Sequence, residues 1–327
     1  MSPAWSRIMG ISTLLLGLGM LAGPALAVVA KQLFEFNRSV WVENIAVRQN
    51  GNLLLTTLDQ GRLYTLDPSS PNPEASLVVQ LPGVTGLSGI SELGFTSDIF
   101  AVAGGLINET TFSITPGSTS VYVIAHSLPP VTGVILRTIP VPAAVVINGM
   151  TTLPNPLYRR VVLGADSGAG SIYRVDTSSG SVESVFQDAQ LGPGSGGTGP
   201  AAQGVNGIKI FNGYLYYTNS HMGTFGRIRM SDDGRKFGKV EVLADVPVSG
   251  EATGLDDFAL DEQTGVAYVA LHPGSVLRID TTDAKVTTLV GGGTDSVLKE
   301  PTSVVMTEDG GSMYVTTGGG QVVEVCL

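Results

Sequence analysis

The chain of 327 residues carries a formal net charge of −10 and a sequence pI near 4.7, so it offers no basic stripe for nucleic-acid phosphates. Its one cysteine, Cys326, excludes an internal disulfide, and one Cys with three dispersed His excludes a zinc cluster. With 43 Gly, 18 Pro and 14% charged residues, the chain is turn-rich and long enough for one large domain or two modest ones.

At the N-terminus, Arg7 precedes an uncharged run from Ile8 to Leu21, and the segment ends Ala25-Leu26-Ala27. A positive start, an apolar stretch and a small-x-small site describe a secretory signal peptide, with a membrane anchor as the competing reading. Several Gly and Pro24 interrupt the apolar run, which favours cleavage after Ala27 over anchoring. The expectation is a secreted chain, residues 28–327, with no stable membrane association after cleavage. Two glycosylation triplets, at Asn37 and Asn108, fit that route.

Residues 31–36 alternate apolar and polar and form a lone strand candidate. From Glu43 onward the chain repeats a pattern of four short strands, each rich in β-branched or aromatic residues and bounded by Gly, Asn or Asp. The first unit holds 43–47, 53–57, 62–66 and 76–79. The second reads 93–95, 99–102, 120–124 and 134–136, with its start ambiguous at Ser88 or Ser91. The third opens at Asn148 and the fourth at Asn206. The fifth opens at Asp256 and the sixth at Thr302, where the chain ends one strand short. Anchors at 43, 91, 148, 206, 256 and 302 recur every 46 to 58 residues, and Tyr64, Tyr122 and Tyr173 repeat at third-strand positions. Four strands at such a period predict a six-bladed β-propeller, its ring closed by residues 31–36. Closure by that strand also removes an open sheet edge. Residues 192–204, rich in Gly and Pro, read as a slack linker or a lid over one channel mouth, and the composition favours the linker.

In a propeller the first strand of each unit lines the central channel, and the residue before it points into one mouth. Those positions are Glu43, Ser88 or Ser91, Asn148, Asn206, Asp256 and Thr302. Two carboxylates and two carboxamides from four blades are the hard oxygen donors that a Ca²⁺-like divalent cation takes. Asn and Asp also cap turns ahead of strands, but four in register, including a Glu, favour a site.

This repeat, with Asn148-Gly149, Val205-Asn206-Gly207, Asp256 and Pro301-Thr302-Ser303-Val304, resembles the regucalcin/gluconolactonase and strictosidine synthase superfamily over essentially the whole mature chain. The resemblance implies a metal held by Glu43, Asn148, Asn206 and Asp256, with Asp256 as the acid/base. Val146 stands where the sugar lactonases have a substrate-gripping Arg, which argues against a polyhydroxylated substrate. Within the superfamily the chain looks like the fungal hetero-Diels–Alderases of tropolone–sesquiterpene (meroterpenoid) biosynthesis, through its leader, its Trp41-Val42-Glu43-Asn44 entry and its apolar mouth residues.

That likeness implies a small lipophilic substrate and no redox cofactor. A cycloaddition catalyst works by proximity and by polarising hydrogen bonds. The candidate contacts are Trp41, Val146, Asn219 and Thr302 in the substrate pocket, with Asp256, Asn206 and His221 as the catalytic set. His272 also follows a second strand, although a lone His there is more often a loop residue. Three functions stay open: a pericyclase, a metal-dependent lactonase or esterase on an apolar substrate, and a non-catalytic binding propeller.

Overall fold

The computed structural model describes residues 28–94, 98–126, 132–194, 202–248, 254–293 and 297–327. The leader and most of the Gly/Pro-rich segment lie outside these residues. Six four-stranded antiparallel sheets follow one another in chain order, as the repeat predicts. The first five take their strands consecutively. The sixth is built from Pro301–Met306, Ser312–Thr317 and Gln321–Cys326, and its outer strand is Val29–Glu35 from the other end of the chain. That strand pairs antiparallel from Val29 opposite Cys326 to Glu35 opposite Gln321, with one register shift between Gln32 and Phe34.

The hydrophobic core is divided into layers, one between each pair of neighbouring blades. Leu54, Leu63, Leu87 and Phe100 fill the layer between blades 1 and 2, and Leu163, Ile172, Ile208 and Tyr217 fill that between blades 3 and 4. Val40, Val42, Leu55, Tyr64 and Val322 close the ring between blades 6 and 1. The recurrent tyrosines Tyr64, Tyr122 and Tyr173 are all buried in such layers. Sheets stacked face to face in this way are held by interdigitating side chains rather than by ladder hydrogen bonds.

Each inner strand breaks its register at the same place, between Val42 and Asn44, Leu87 and Ile90, Ile147 and Met150, Val205 and Ile208, Leu255 and Phe258, and Pro301 and Ser303. A bulge turns a side chain out of the alternating pattern, and here it turns one from each blade toward the axis. At that level the inner strands nearly touch. A Cβ on Gly149 would lie 2.3 Å from the carbonyl oxygen of Asn206.

Blade 2 differs from its sequence reading. Its inner strand is Gly86–Glu92, and Leu93 follows it rather than opening it. The register break therefore selects Ser88, not Ser91, as the mouth position. Gly86 and Gly89 weaken the strand signal in the sequence, but the packing requires small residues. A Cβ on Gly89 would sit 2.2 Å from the Asn148 carbonyl oxygen.

Hydroxyls stitch the blades to one another. Thr56 donates to the carbonyl oxygen of Ser88, Ser88 to Ile147, Ser167 to Val205, Thr218 to Asp256 and Thr302 to Val42, at 2.5–2.8 Å. Behind the mouth, Asp257 accepts from Asn44 at 3.0 Å, from Ser303 at 3.4 Å and from the Lys209 ammonium at 2.6 Å. Four blades thus meet in one buried polar plug across the axis.

Candidate active site

The inner strands deliver the mouth residues, and the turns between second and third strands surround them. A cavity of about 200 Å³ opens there, lined by Trp41, Glu43, Phe112, Gln203, Asn206, Ser220, Gly254, Leu255, Asp256, His272 and Glu300. A larger cavity, about 580 Å³, lies between the rims of blades 1 and 2 and holds Glu109 as its one ionisable side chain. Chemistry needs converging polar groups, so the axial cavity is the candidate.

One end of its floor is acidic and basic at once. His272 Nε2 lies 3.1 Å from Asp256 Oδ2, and both side chains are largely buried. Burial opposes a charge on His272, but the bonded Asp256 and the charges of Glu300 and Glu43 raise its pKa above the usual imidazole value. Glu43 accepts a hydrogen bond from the Trp41 indole N–H. Burial and the neighbouring Asp256 charge push the Glu43 carboxyl up to about 8, against the pull of Trp41 and His272.

The other end is carboxamide. Gln203 Oε1 accepts from Asn148 at 3.0 Å and from Asn206 at 3.5 Å, and Asn206 also donates to Ser220 at 2.9 Å. Asn206 Oδ1 is buried with no hydrogen-bond partner among the described residues. Such an acceptor is costly to leave bare, so a ligand hydroxyl or a cation would satisfy it.

The wall above the floor is aromatic. Trp41 meets Phe112 edge to face, centroids 4.9 Å apart at 69°, and its ring lies 5.9 Å from that of His272. Its other side rests on the chain at Gly318, where a Cβ would come within 2.5 Å of the indole.

Of the residues singled out in the sequence, Trp41, Glu43, Asn206 and Asp256 line this cavity, and Asn148 reaches it through Gln203. Four others are placed elsewhere. Thr302 is fully buried and bonds across to blade 1. Asn219 donates to the carbonyls of Gln190 and Gly192 and so holds that turn. Val146 packs beside Ser88 and Ile147 between blades 2 and 3, its N–H capped by Asp166. His221 sits in the turn after the second strand of blade 4, away from the cavity lining, with its N–H on the Gln203 carbonyl. The residues the sequence reading left unassigned are Phe112, Gln203, Ser220, His272 and Glu300. Two of them had a signal: His272 follows a second strand, and Gln203 lies in the Gly/Pro-rich segment whose alternative reading is a lid over a channel mouth.

Glu43, Asp256 and the unpartnered Asn206 Oδ1 are suitable oxygen donors for a hard cation on one cavity. No group of three His, Cys, Asp or Glu spaced for a metal occurs among the described residues, so a cation would depend on the amide oxygens. The chemistry of the donors fits a Ca²⁺-like ion.

No family model matches the chain. A Sarocladium schorii protein provisionally named hetero-Diels-Alderase asR5 is 27% identical over 306 residues, covering 83% of this chain and 72% of the relative. A Phoma sp. protein with the same provisional name is 26% identical over 290 residues, covering 82% and 79%. Among solved structures, a luciferin-regenerating enzyme superposes with a TM-score of 0.66 at 14% identity, covering 92% of this chain and 96% of that one. Virginiamycin B lyase from Staphylococcus aureus superposes with a TM-score of 0.55 at 13% identity, covering 92% and 99%. The solved structures share the fold, and the two curated relatives share sequence over most of it.

Proposed function

We propose that the axial mouth is the active site of a pericyclase that performs a hetero-Diels–Alder reaction, joining a tropolone o-quinone methide to an alkene of a humulene-type sesquiterpene. The observation that carries this reading is the pair of similarly named relatives across four-fifths of the chain. The geometry supports it: an aromatic wall faces a floor of hydrogen-bonding groups. At about 200 Å³ the cavity is smaller than the roughly 300–1,000 Å³ that encloses a drug-sized ligand, so it would seat one ring with the second reactant lying outward.

In this mechanism a hydroxymethyl tropolone first loses water. Its C–O bond breaks as a proton passes from His272 to the departing hydroxyl, and the ring hydroxyl returns a proton to the same imidazole, which Asp256 holds in place. Asn206 Oδ1 accepts from a ligand hydroxyl. The cycloaddition then forms one C–C and one C–O bond and consumes the alkene, with no net transfer of protons or electrons to the protein. Its rate gain comes from holding the two partners face to face and from hydrogen bonds that polarise the ring carbonyl.

The protein, incubated with a tropolone o-quinone-methide precursor and a humulene-type alcohol, should give enantioselective adduct above background, detected by chiral chromatography and mass spectrometry. Racemic adduct at the uncatalysed rate would sink the reading.

The unpartnered Asn206 Oδ1 beside two carboxylates favours a second reading, a metal-dependent lactonase or esterase on an apolar substrate. Glu43, Asp256, Asn206 and Asn148 would hold the cation, which when bound would polarise a ligand carbonyl. EDTA-sensitive hydrolysis of a hydrophobic lactone, with no adduct formation, would select it. The exposed positions of Asn37 and Asn108 suit glycan attachment in a secreted protein, and a mass shift on endoglycosidase treatment would report it.

A further inference from the structure

Five blades join their second and third strands at the mouth by three or four residues. Blade 2 uses fourteen, between Gly105 and Ser120. Loop closure does not require that length, and the excursion is not slack. Ile107 and Ile114 pair as an isolated bridge. Asn108 donates its N–H to the Ser113 carbonyl, and its Oδ1 accepts the N–H groups of Thr110 and Thr111, each at 3.0 Å. The Thr85 hydroxyl ties Ile107 to the blade edge through both backbone groups at 2.7 Å.

This frame carries Phe112 in the left-handed region, at φ +53°. A bulky residue adopts that conformation only where its surroundings hold it. The result is that an aromatic ring from blade 2 crosses to blade 1, meets Trp41 edge to face and lines the same cavity as His272 and Asp256.

We infer that Phe112 is a specificity-determining residue, and that the blade-2 excursion exists to complete an aromatic wall selecting flat, unsaturated rings with oxygen on one edge only. The inference rests on the pericyclase reading for the identity of the site and names the feature of the substrate that the site reads. A flat conjugated ring lays its apolar face on the Trp41–Phe112 wall while its oxygen edge reaches the floor at Asn206, Glu43 and His272. A saturated ring is too thick for the same contact and gains no aromatic interaction. A polyhydroxylated ring would press hydroxyls against the wall with no partner, which is unfavourable in any buried site.

The chain contains two tryptophans, Trp5 and Trp41. In a Trp5→Phe background, Trp41 is the sole tryptophan whether or not residues 1–27 are retained, so its fluorescence reports ligand in the cavity without any turnover. The probes are tropolone, its saturated counterpart 2-hydroxycycloheptanone, and glucono-δ-lactone, titrated at pH 6 with correction for probe absorption. The expected result is a preference of the parent for tropolone over both other rings. Phe112→Ala should raise the tropolone Kd about tenfold, the order of one edge-to-face contact with its buried area, and erase the preference over the saturated ring. Phe112→Leu keeps apolar volume without the aromatic edge and should fall between the two.

An unchanged preference in both variants, or a parent that does not discriminate among the probes, would overturn the inference. Catalysed adduct formation with binding unaffected by Phe112 would leave the pericyclase reading standing and this one refuted. Tropolone selectivity that depends on Phe112, with no adduct formed, would do the reverse.

Discussion

At the scale of single residues, the decisive contact is His272 on Asp256. The sequence placed an acid at Asp256 and weighed two histidines for the same mouth, and the structure puts only His272 within reach. His272→Ala should therefore lower kcat/KM for adduct formation by about 10² or more, the usual contribution of a positioned proton donor. His221→Ala should leave it within about twofold. Steady-state kinetics on the two variants distinguish the roles. A second residue-scale expectation concerns Asp59, which accepts from Tyr64 at 2.7 Å and from Arg62 at 2.9 Å, and pairs with Arg38. Burial alone would raise its pKa, but these partners outweigh it and hold the carboxyl near 2. A depressed folded-state pKa gives stability that is complete above the unfolded value near 4 and is lost as pH falls from there through 2. Asp59→Asn should cost about 1–2 kcal/mol at pH 6, discounted for the exposed Arg38, and the difference from wild type should shrink toward pH 2. Urea unfolding at a series of pH values checks both the size and the direction.

At the scale of elements, strands were legible wherever hydrophobic alternation dominates, as in Leu53–Thr57 or Val266–Leu271. The inner strand of blade 2 was not, because its composition answers to a neighbour distant in sequence. Gly89 is small for the sake of the Asn148 carbonyl 59 positions away, and no local propensity encodes that. Gly149 faces the same demand from Asn206. Gly149→Ala should destabilise the protein by about 2–4 kcal/mol, since the added carbon meets backbone rather than a movable side chain. A Gly213→Ala control has open space but a φ of +76°, and its smaller loss of roughly 1 kcal/mol would measure the backbone component alone. Thermal or urea midpoints of the pair decide. Should Gly149→Ala cost no more than Gly213→Ala, the close approach of the inner strands is not a constraint on stability.

At the scale of the whole molecule, the ring has to close. Val29–Glu35 covers the open side of Gln321–Cys326, and Phe34 and Phe36 pack beside Tyr64 and Val322 at the junction of blades 6 and 1. Deleting residues 28–36 should lower the thermal midpoint by about 10 °C through lost apolar burial, and should expose an edge that self-associates. Calorimetry and concentration-dependent light scattering would show both effects, and a monomer of unchanged midpoint would contradict the closure role.

The sequence repeat sets the number of blades, the closing strand and, of the four cavity residues legible in the sequence, all but Trp41: Glu43, Asn206 and Asp256. Those follow from a repeat whose register carries each blade's first residue to one axis. Tertiary structure alone decided which turns lean inward over that axis. Val146 is two residues from Asn148 and yet packs between blades, and Thr302 is spent on a bond to blade 1. His272 and Phe112, distant from each other in sequence and on different blades, both meet the Trp41 ring. Repeats record what each blade does in its own frame. The contacts that make a site run between blades, across separations on which local pattern carries no information.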